Sequence, residues 1–181
     1  IGAGRMGYEM AARLARGGAD VLVWNRTREK AEPLEQYGAR VADKVSALAA
    51  RDIVFCMVST WKDVKQVVTN LLAGGKEGQG GKSKPKMLIE CSSISLEGSA
   101  ELRELLEKKG IQYLAAPVSG NAKVIKAGRL SFVCSGPKQA FDLARPFLDL
   151  IAINSSYVGE GELSRIVKIC HNVFLGVVTQ S

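Results

Sequence analysis

The sequence predicts an α/β fold: a doubly wound, mostly parallel sheet with helices on both faces. Three observations carry that expectation. Strand-like and helix-like segments alternate along nearly the whole chain of 181 residues. The chain opens on a glycine-rich turn, Gly2-Ala3-Gly4-Arg5-Met6-Gly7. An amphipathic helix and a short apolar strand follow that turn directly.

The turn reads G-x-G-x-x-G, and each glycine has a separate task. Gly2 permits the tight turn out of a strand, Gly4 lets backbone approach a pyrophosphate, and Gly7 lets the next helix pack closely on the sheet. The helix start offers unpaired N–H groups and a positive dipole end to phosphate. Arg5 and Met6, inside the motif, belong to the same candidate cofactor site. Residues 8–16 read as the helix, with Met10, Ala11, Leu14 and Ala15 on one face and Gly17-Gly18 ending it. A buried strand is expected at 20–24, so the turn heads a Rossmann-type β-α-β unit. Because the motif begins at the first residue, a first strand is expected to precede it.

Further elements follow in order. A polar helix is expected over 28–37, a short strand at Val41 and a short helix over 44–50. A buried strand spans 52–59 and an amphipathic helix 61–72. A Gly/Lys/Pro loop fills 74–86. Strands are expected at 87–91, 111–115, 130–135 and 157–158, with helices over 99–109 and 138–150. Gly159 to Gly161 reads as a hinge. A long apolar helix then runs from about 163 to 181 and stops without a cap, so more chain is expected beyond it.

Composition bounds the function. A length of 181 residues suits one full domain and part of another. Hydrophobic residues at 46% and charged residues at 24% are ordinary for a globular protein. No apolar run is long enough to span a membrane and no secretory leader is visible, so neither a membrane nor a secreted role is expected. Cys56, Cys91, Cys134 and Cys170 lack metal-site spacing and read as buried reduced thiols, as in a cytoplasmic protein. No metal is expected. The net charge of +7 is spread out, apart from Lys76, Lys82, Lys84 and Lys86 in one loop. That loop has no interleaved aromatics, so it reads as solvated rather than as a nucleic-acid surface.

The second strand ends at Asn25-Arg26-Thr27, eighteen residues past Gly7. A carboxylate near here would accept both ribose hydroxyls and repel a 2′-phosphate. A neutral amide, a guanidinium and a hydroxyl stand here instead, so NADP is favoured, with NAD still possible.

Two later motifs complete the pattern. Ala116-Pro117-Val118-Ser119-Gly120-Asn121 follows a strand, at the sheet edge where open α/β folds bind ligands. Lys168 and Asn172 stand four apart on one helix face. With the glycine turn, Cys91-Ser92-Ser93-Ile94 and Ala127-Gly128-Arg129-Leu130, these stretches resemble the β-hydroxyacid dehydrogenase family, the group of 3-hydroxyisobutyrate and 6-phosphogluconate dehydrogenase-like enzymes. The resemblance covers nearly the whole chain.

It implies a nucleotide-binding domain over 1–158 and, over 159–181, the first helix of an all-helical second domain that closes the cleft and makes most of a homodimer or homotetramer contact. It implies hydride transfer between NADP(H) and a small β-hydroxyacid or the matching aldehyde or keto acid. Lys168 would be the general acid/base. Ser119 and the Gly120 N–H would hold the substrate carboxylate, and Asn172 would orient substrate or lysine. The cofactor would lie against Met57, Val58 and Ser59, with its nicotinamide near Ser93. Asn121, Glu162 and Ser164 depart from the family's glycines, and Asn121 and Lys123 are expected to add contacts to a more polar substrate. The lone histidine, His171, reads as structural. An imine reductase and a non-catalytic dinucleotide-binding module are the other readings.

Overall fold

A computed structural model describes residues 1–74 and 84–178. Helix α1 (Arg5–Arg16) leaves the glycine turn and buries Gly7, Met10, Ala12 and Leu14. Strand β1 (Leu22–Val23) pairs in parallel with β2 (Arg40–Val41). Between them the expected polar α-helix is replaced by two 3₁₀ segments, Arg28–Lys30 and Glu32–Tyr37. The second buries only Leu34, too little apolar surface to support a full α-helix. The helix expected over 44–50 is also 3₁₀, at Val45–Ala50. Its buried Val45 and Leu48 are three apart, which suits three residues per turn.

Strands β3 (Ile53–Cys56), β4 (Met87–Glu90) and β5 (Gln112–Ala115) form a parallel sheet in the register Ile53↔Met87↔Gln112. Helices α2 (Trp61–Ala73) and α3 (Leu96–Glu107) make the crossovers. Each starts at a side-chain cap: Thr60 and Asp63 form a reciprocal capping box on α2, and Ser95 accepts from Gly98 N–H on α3. All four β4 residues are buried. Successive β4 side chains enter opposite cores, Leu88 with Val64, Val68, Leu71 and Leu102, and Ile89 with Met10, Phe132, Phe141 and Leu148. A strand covered on both faces is the reason this stretch shows no apolar/polar alternation.

Ile1 and Gly2 bridge the two sheets. The Ile1 backbone nitrogen donates to Phe55 C=O at 2.6 Å and Met57 N–H to Ile1 C=O at 3.0 Å. On the other side Gly2 N–H donates to Trp24 C=O at 2.9 Å. An apolar cavity of ≈ 120 Å³ lies beside them, between Val21, Leu22 and Val23 on one side and Ile53, Val54 and Phe55 on the other.

Beyond β5 the sequence hides two elements. Strand β6 (Val118–Ser119) pairs antiparallel with β7 (Ser131–Cys134), and helix α4 (Ala122–Lys126) lies between them. With two and five residues, neither is long enough to show a period. Strand β8 (Asn154–Tyr157) pairs in parallel with β7, and an Ala115–Ser135 bridge joins this sheet to β5. Helix α5 (Lys138–Ile151) packs on the same core, and α6 (Leu163–Val178) leaves it.

Cys56, Cys91 and Cys134 are buried, and burial pushes the Cys56 and Cys134 thiols up to about 12. Cys170 is exposed, against expectation, because α6 past its first turn lies on the surface. Lys86 pairs with Asp52 at 2.8 Å, as befits a solvated lysine, while Lys76 and Lys82 lie outside the described residues. Among the described residues no helix is long and apolar enough to cross a membrane, and no cluster could hold a metal ion.

Candidate active site

The ends of β1 and β3 and the start of α1 enclose a cleft of ≈ 480 Å³. Gly2, Gly4, Arg5, Met6, Gly7, Asn25, Arg26, Thr27, Met57, Val58 and Ser59 line it. Ser93 does not; it is exposed, past the end of β4. Sequence reasoning missed Asp63, Gln66, Val67 and Asn70, which form the wall contributed by α2. Their spacing of i, i+3, i+4, i+7 marks a single helix face and could have flagged them.

The cleft's residues fit a dinucleotide. A Cβ on Gly2, whose φ is +90°, would strike the Met57 carbonyl, and one on Gly7 would strike the Gly2 carbonyl. Both glycines are therefore demanded by close packing of turn on strand. Gly4 differs, since a Cβ there would meet nothing within 4 Å. It faces open space at the N-cap of α1, and no side chain caps that helix. The first N–H groups of α1 are thus left for an anion.

Asn25 braces this turn. Its Oδ1 accepts from Ala3 N–H at 2.9 Å and its Nδ2 donates to Thr27 C=O at 2.7 Å. Both ends of the amide are engaged with the loop itself. The Arg26 side chain is 83% exposed and lies 3.4 Å from Asp63. Hydrogen bonds from Thr60, and then Arg26, hold the Asp63 carboxyl below its ordinary value. Arg28 turns away, to Glu32 at 3.1 Å and to Asp43.

The start of α6 lies outside this lining and is anchored by charge. Arg165, 3% exposed, forms an ion pair with fully buried Glu90 at the end of β4. Its guanidinium also donates to Ser92 C=O at 2.6 Å and reaches Tyr113 Oη and Ser99 Oγ, each at 3.4 Å. Glu90 accepts from Ser92 N–H at 2.8 Å, and Ser92 Oγ accepts from Val58 N–H at 2.9 Å. Burial pushes the Glu90 carboxyl up, against the pull of Arg165 and Ser92. One continuous polar network therefore runs from the lysine-bearing helix to Val58 in the cleft.

Two of the departures noted in sequence belong to this anchoring. Ser164 N–H donates to Ser135 Oγ at 3.1 Å, and Glu162 pairs with Arg103 at 3.1 Å. They fasten the helix start to the residue after β7 and to α3. Asn121 Oδ1 likewise caps α4, accepting from Val124 N–H at 3.1 Å. Its amide NH₂ is left over for a ligand.

Arg165, Lys168, His171 and Asn172 fall within a sector of about 120° on α6, at 100° per residue. Lys168 is half-buried, and desolvation lowers its pKa from 10.5. Asn172 is exposed. His171 is not a core residue; it is exposed, and its Nε2 lies 3.3 Å from Ser119 Oγ. Three residues place it only about 60° from Lys168 around the helix. Its contact joins α6 to the Ser119-Gly120 turn.

Comparison with known proteins agrees with this geometry. Residues 1–159 match the family described as the NAD binding domain of 6-phosphogluconate dehydrogenase. The chain is 32% identical over 183 residues to glyoxylate/succinic semialdehyde reductase 2, chloroplastic, of Arabidopsis thaliana, covering 100% of this chain and 50% of that protein. A solved structure of Mycobacterium tuberculosis 3-hydroxyisobutyrate dehydrogenase with L-serine superposes with a TM-score of 0.88 at 29% identity, over 97% of this chain and 58% of that one. The imine reductase of Myxococcus stipitatus in complex with NADP⁺ superposes with a TM-score of 0.85 at 26% identity, over 99% and 61%. The chain thus spans about half to three-fifths of the length of such relatives. Glycine turn, cleft and matched span agree, and the chain belongs to the family of the NAD-binding domain of 6-phosphogluconate dehydrogenase.

Proposed function

We propose that the whole protein is an NADP-preferring oxidoreductase interconverting small β-hydroxyacids with the matching aldehyde or keto acids. The observation that carries this reading is the half-buried Lys168, on the helix that the Glu90–Arg165 network fastens beside the dinucleotide cleft. A nicotinamide dinucleotide, when bound, supplies or accepts the hydride.

The chain's own residues do the rest. The N–H groups at the start of α1 and the Gly4 backbone bind pyrophosphate. Arg26 pairs with the 2′-phosphate once it exchanges Asp63 for that anion, with the Thr27 hydroxyl beside it. Asn25 holds the glycine turn in shape for both. Met57, Val58 and Ser59 line the middle of the cofactor path, and Ser93 stands toward the nicotinamide end. Ser119 and Gly120 N–H bind the substrate carboxylate, and Asn172 orients substrate or lysine. The Lys168 ammonium protonates the carbonyl oxygen as negative charge develops on it, and the neutral amine removes the alcohol proton in reverse. Desolvation favours that neutral amine, so the lysine can work in both directions.

Residues 159–181 are read as the start of a helical second domain that completes the cleft and a homodimer or homotetramer. A second reading, an NADPH-dependent imine reductase, is supported by the superposition on the Myxococcus enzyme. The test is oxidation of NADPH and of NADH by the full-length protein with small aldehyde acids, keto acids and cyclic imines. Turnover of a carboxylated carbonyl that falls about 10²- to 10⁴-fold in Lys168→Ala supports the first reading. Turnover of imines alone favours the second.

A further inference from the structure

We infer that Asp63 is a cofactor-specificity residue: its carboxylate opposes a 2′-phosphate at Arg26 and so holds the cleft back from full selectivity for NADP over NAD. The inference rests on the proposed NADP-preferring reading and adds to it a residue on α2 that works against that preference.

Three observations support it. First, Asp63 is the one carboxylate among the described residues lining the cleft, whose other charged side chains are Arg5, Arg26 and Lys30. A wall that receives a polyanion is weakened by a negative charge. Second, capping does not account for the whole carboxylate. Its Oδ2 makes the capping box, accepting from Thr60 N–H at 3.1 Å and from the Thr60 hydroxyl at 2.7 Å. Its Oδ1 is turned to Arg26 instead, at 3.4 Å across 37 residues of sequence. Third, both partners line the cleft and reach solvent, the Arg26 side chain being 83% exposed and that of Asp63 26%. An ion pair so exposed adds little to stability, so folding explains it poorly. The bonds from Thr60 keep the carboxyl ionised at neutral pH.

The sign of the effect follows from charge. A phosphate monoester carries a charge of about −1.5 to −2 at neutral pH. A 2′-phosphate takes Arg26 only by displacing Asp63 or by sharing one guanidinium with a like charge. Either course weakens NADP. A free 2′-hydroxyl carries no charge and can donate to a carboxylate. NAD therefore loses nothing to Asp63. An amide at this position keeps an oxygen for the Thr60 cap and removes the charge, whereas a glutamate keeps both.

The experiment titrates NADPH and NADH, read by their fluorescence, into full-length wild type, Asp63→Asn, Asp63→Glu and Arg26→Ala. Calorimetry with 2′,5′-ADP and 5′-AMP repeats the comparison on the adenosine end alone. Asp63→Asn should tighten NADPH and 2′,5′-ADP about fivefold, the size of one exposed charge interaction, and change NADH and 5′-AMP by less than about twofold. The gain should shrink as salt rises from about 0.05 M to about 0.5 M, because exposed charges are screened. Asp63→Glu should stay within about twofold of wild type on every ligand. Equal tightening of both cofactors, a gain indifferent to salt, or Asp63→Glu matching Asp63→Asn would overturn the proposal. Selective weakening of NADPH by Arg26→Ala, with no gain in Asp63→Asn, would sink Asp63 and leave the NADP reading standing. Equal weakening of both cofactors by Arg26→Ala would sink Arg26 as the reader of the 2′-phosphate, and the proposal with it.

Discussion

The cleft and the start of α6 are held by opposite means. The cofactor wall is local and made of backbone. Gly2 and Gly7 press against neighbouring carbonyls, and Asn25 ties the turn to its own strand end. The α6 anchor is long-range and made of charge. Arg165 reaches across 75 residues to Glu90, and Ser92 passes the contact on to Val58. The first is set by steric necessity within a few residues of the motif. The second depends on burying a guanidinium and a carboxylate together, which is tolerable only while every partner is present. A small change should therefore damage the second more than the first.

The largest expected effect tests that contrast directly. Arg165→Ala or Glu90→Ala leaves a buried charge without its partner and should cost about 3–5 kcal/mol in denaturant unfolding of the full-length protein. Arg165→Met combined with Glu90→Met should recover most of that loss, because an apolar pair leaves no unpaired ion. Single losses under about 1 kcal/mol, at the level of an exposed pair, would show that the start of α6 is not held by this network.

A smaller effect belongs to the cofactor wall. Arg26→Ala should weaken NADPH about tenfold and NADH less than about twofold, in line with loss of one charge-assisted contact to a 2′-phosphate. Fluorescence titration of each reduced cofactor reads both values. Equal weakening of the two would remove Arg26 as the 2′-phosphate partner.

The smallest effect concerns Lys168 and pH. Desolvation lowers its folded pKa below the 10.5 of the free side chain. Between the two values the unfolded chain holds a proton that the folded one lacks, so stability should rise with pH in that window. On the proposed role of Lys168 as general acid, kcat for reduction should fall as pH rises through the lowered value, ahead of 10.5. Lys168→Met should remove the rise in stability, measured by unfolding across that window. If wild type and variant gave parallel stability curves, the lysine would not be desolvated in solution.

Most of the fold and much of the cleft lining were legible in the sequence. G-x-G-x-x-G is a local pattern with steric reasons, and with the strand-end residues that the family resemblance added, eleven of the twelve candidate cofactor residues line the cleft, while the α2 face that completes it was missed. Longer elements were legible because burial repeats along them, as in α2 and α5. Tertiary structure decided what has no period. Strand β6 and helix α4 are too short to signal themselves, and the 3₁₀ segments differ from α-helix by how little they bury. The Glu90–Arg165 pair is invisible in one dimension, because 75 residues separate its partners. His171 is the same lesson at shorter range: its identity is in the sequence, but its neighbour Ser119 is supplied only when α6 leans on the β6 edge. Spacing along a chain encodes helix faces and tight turns, whereas contacts between distant segments exist only after the core has brought them together.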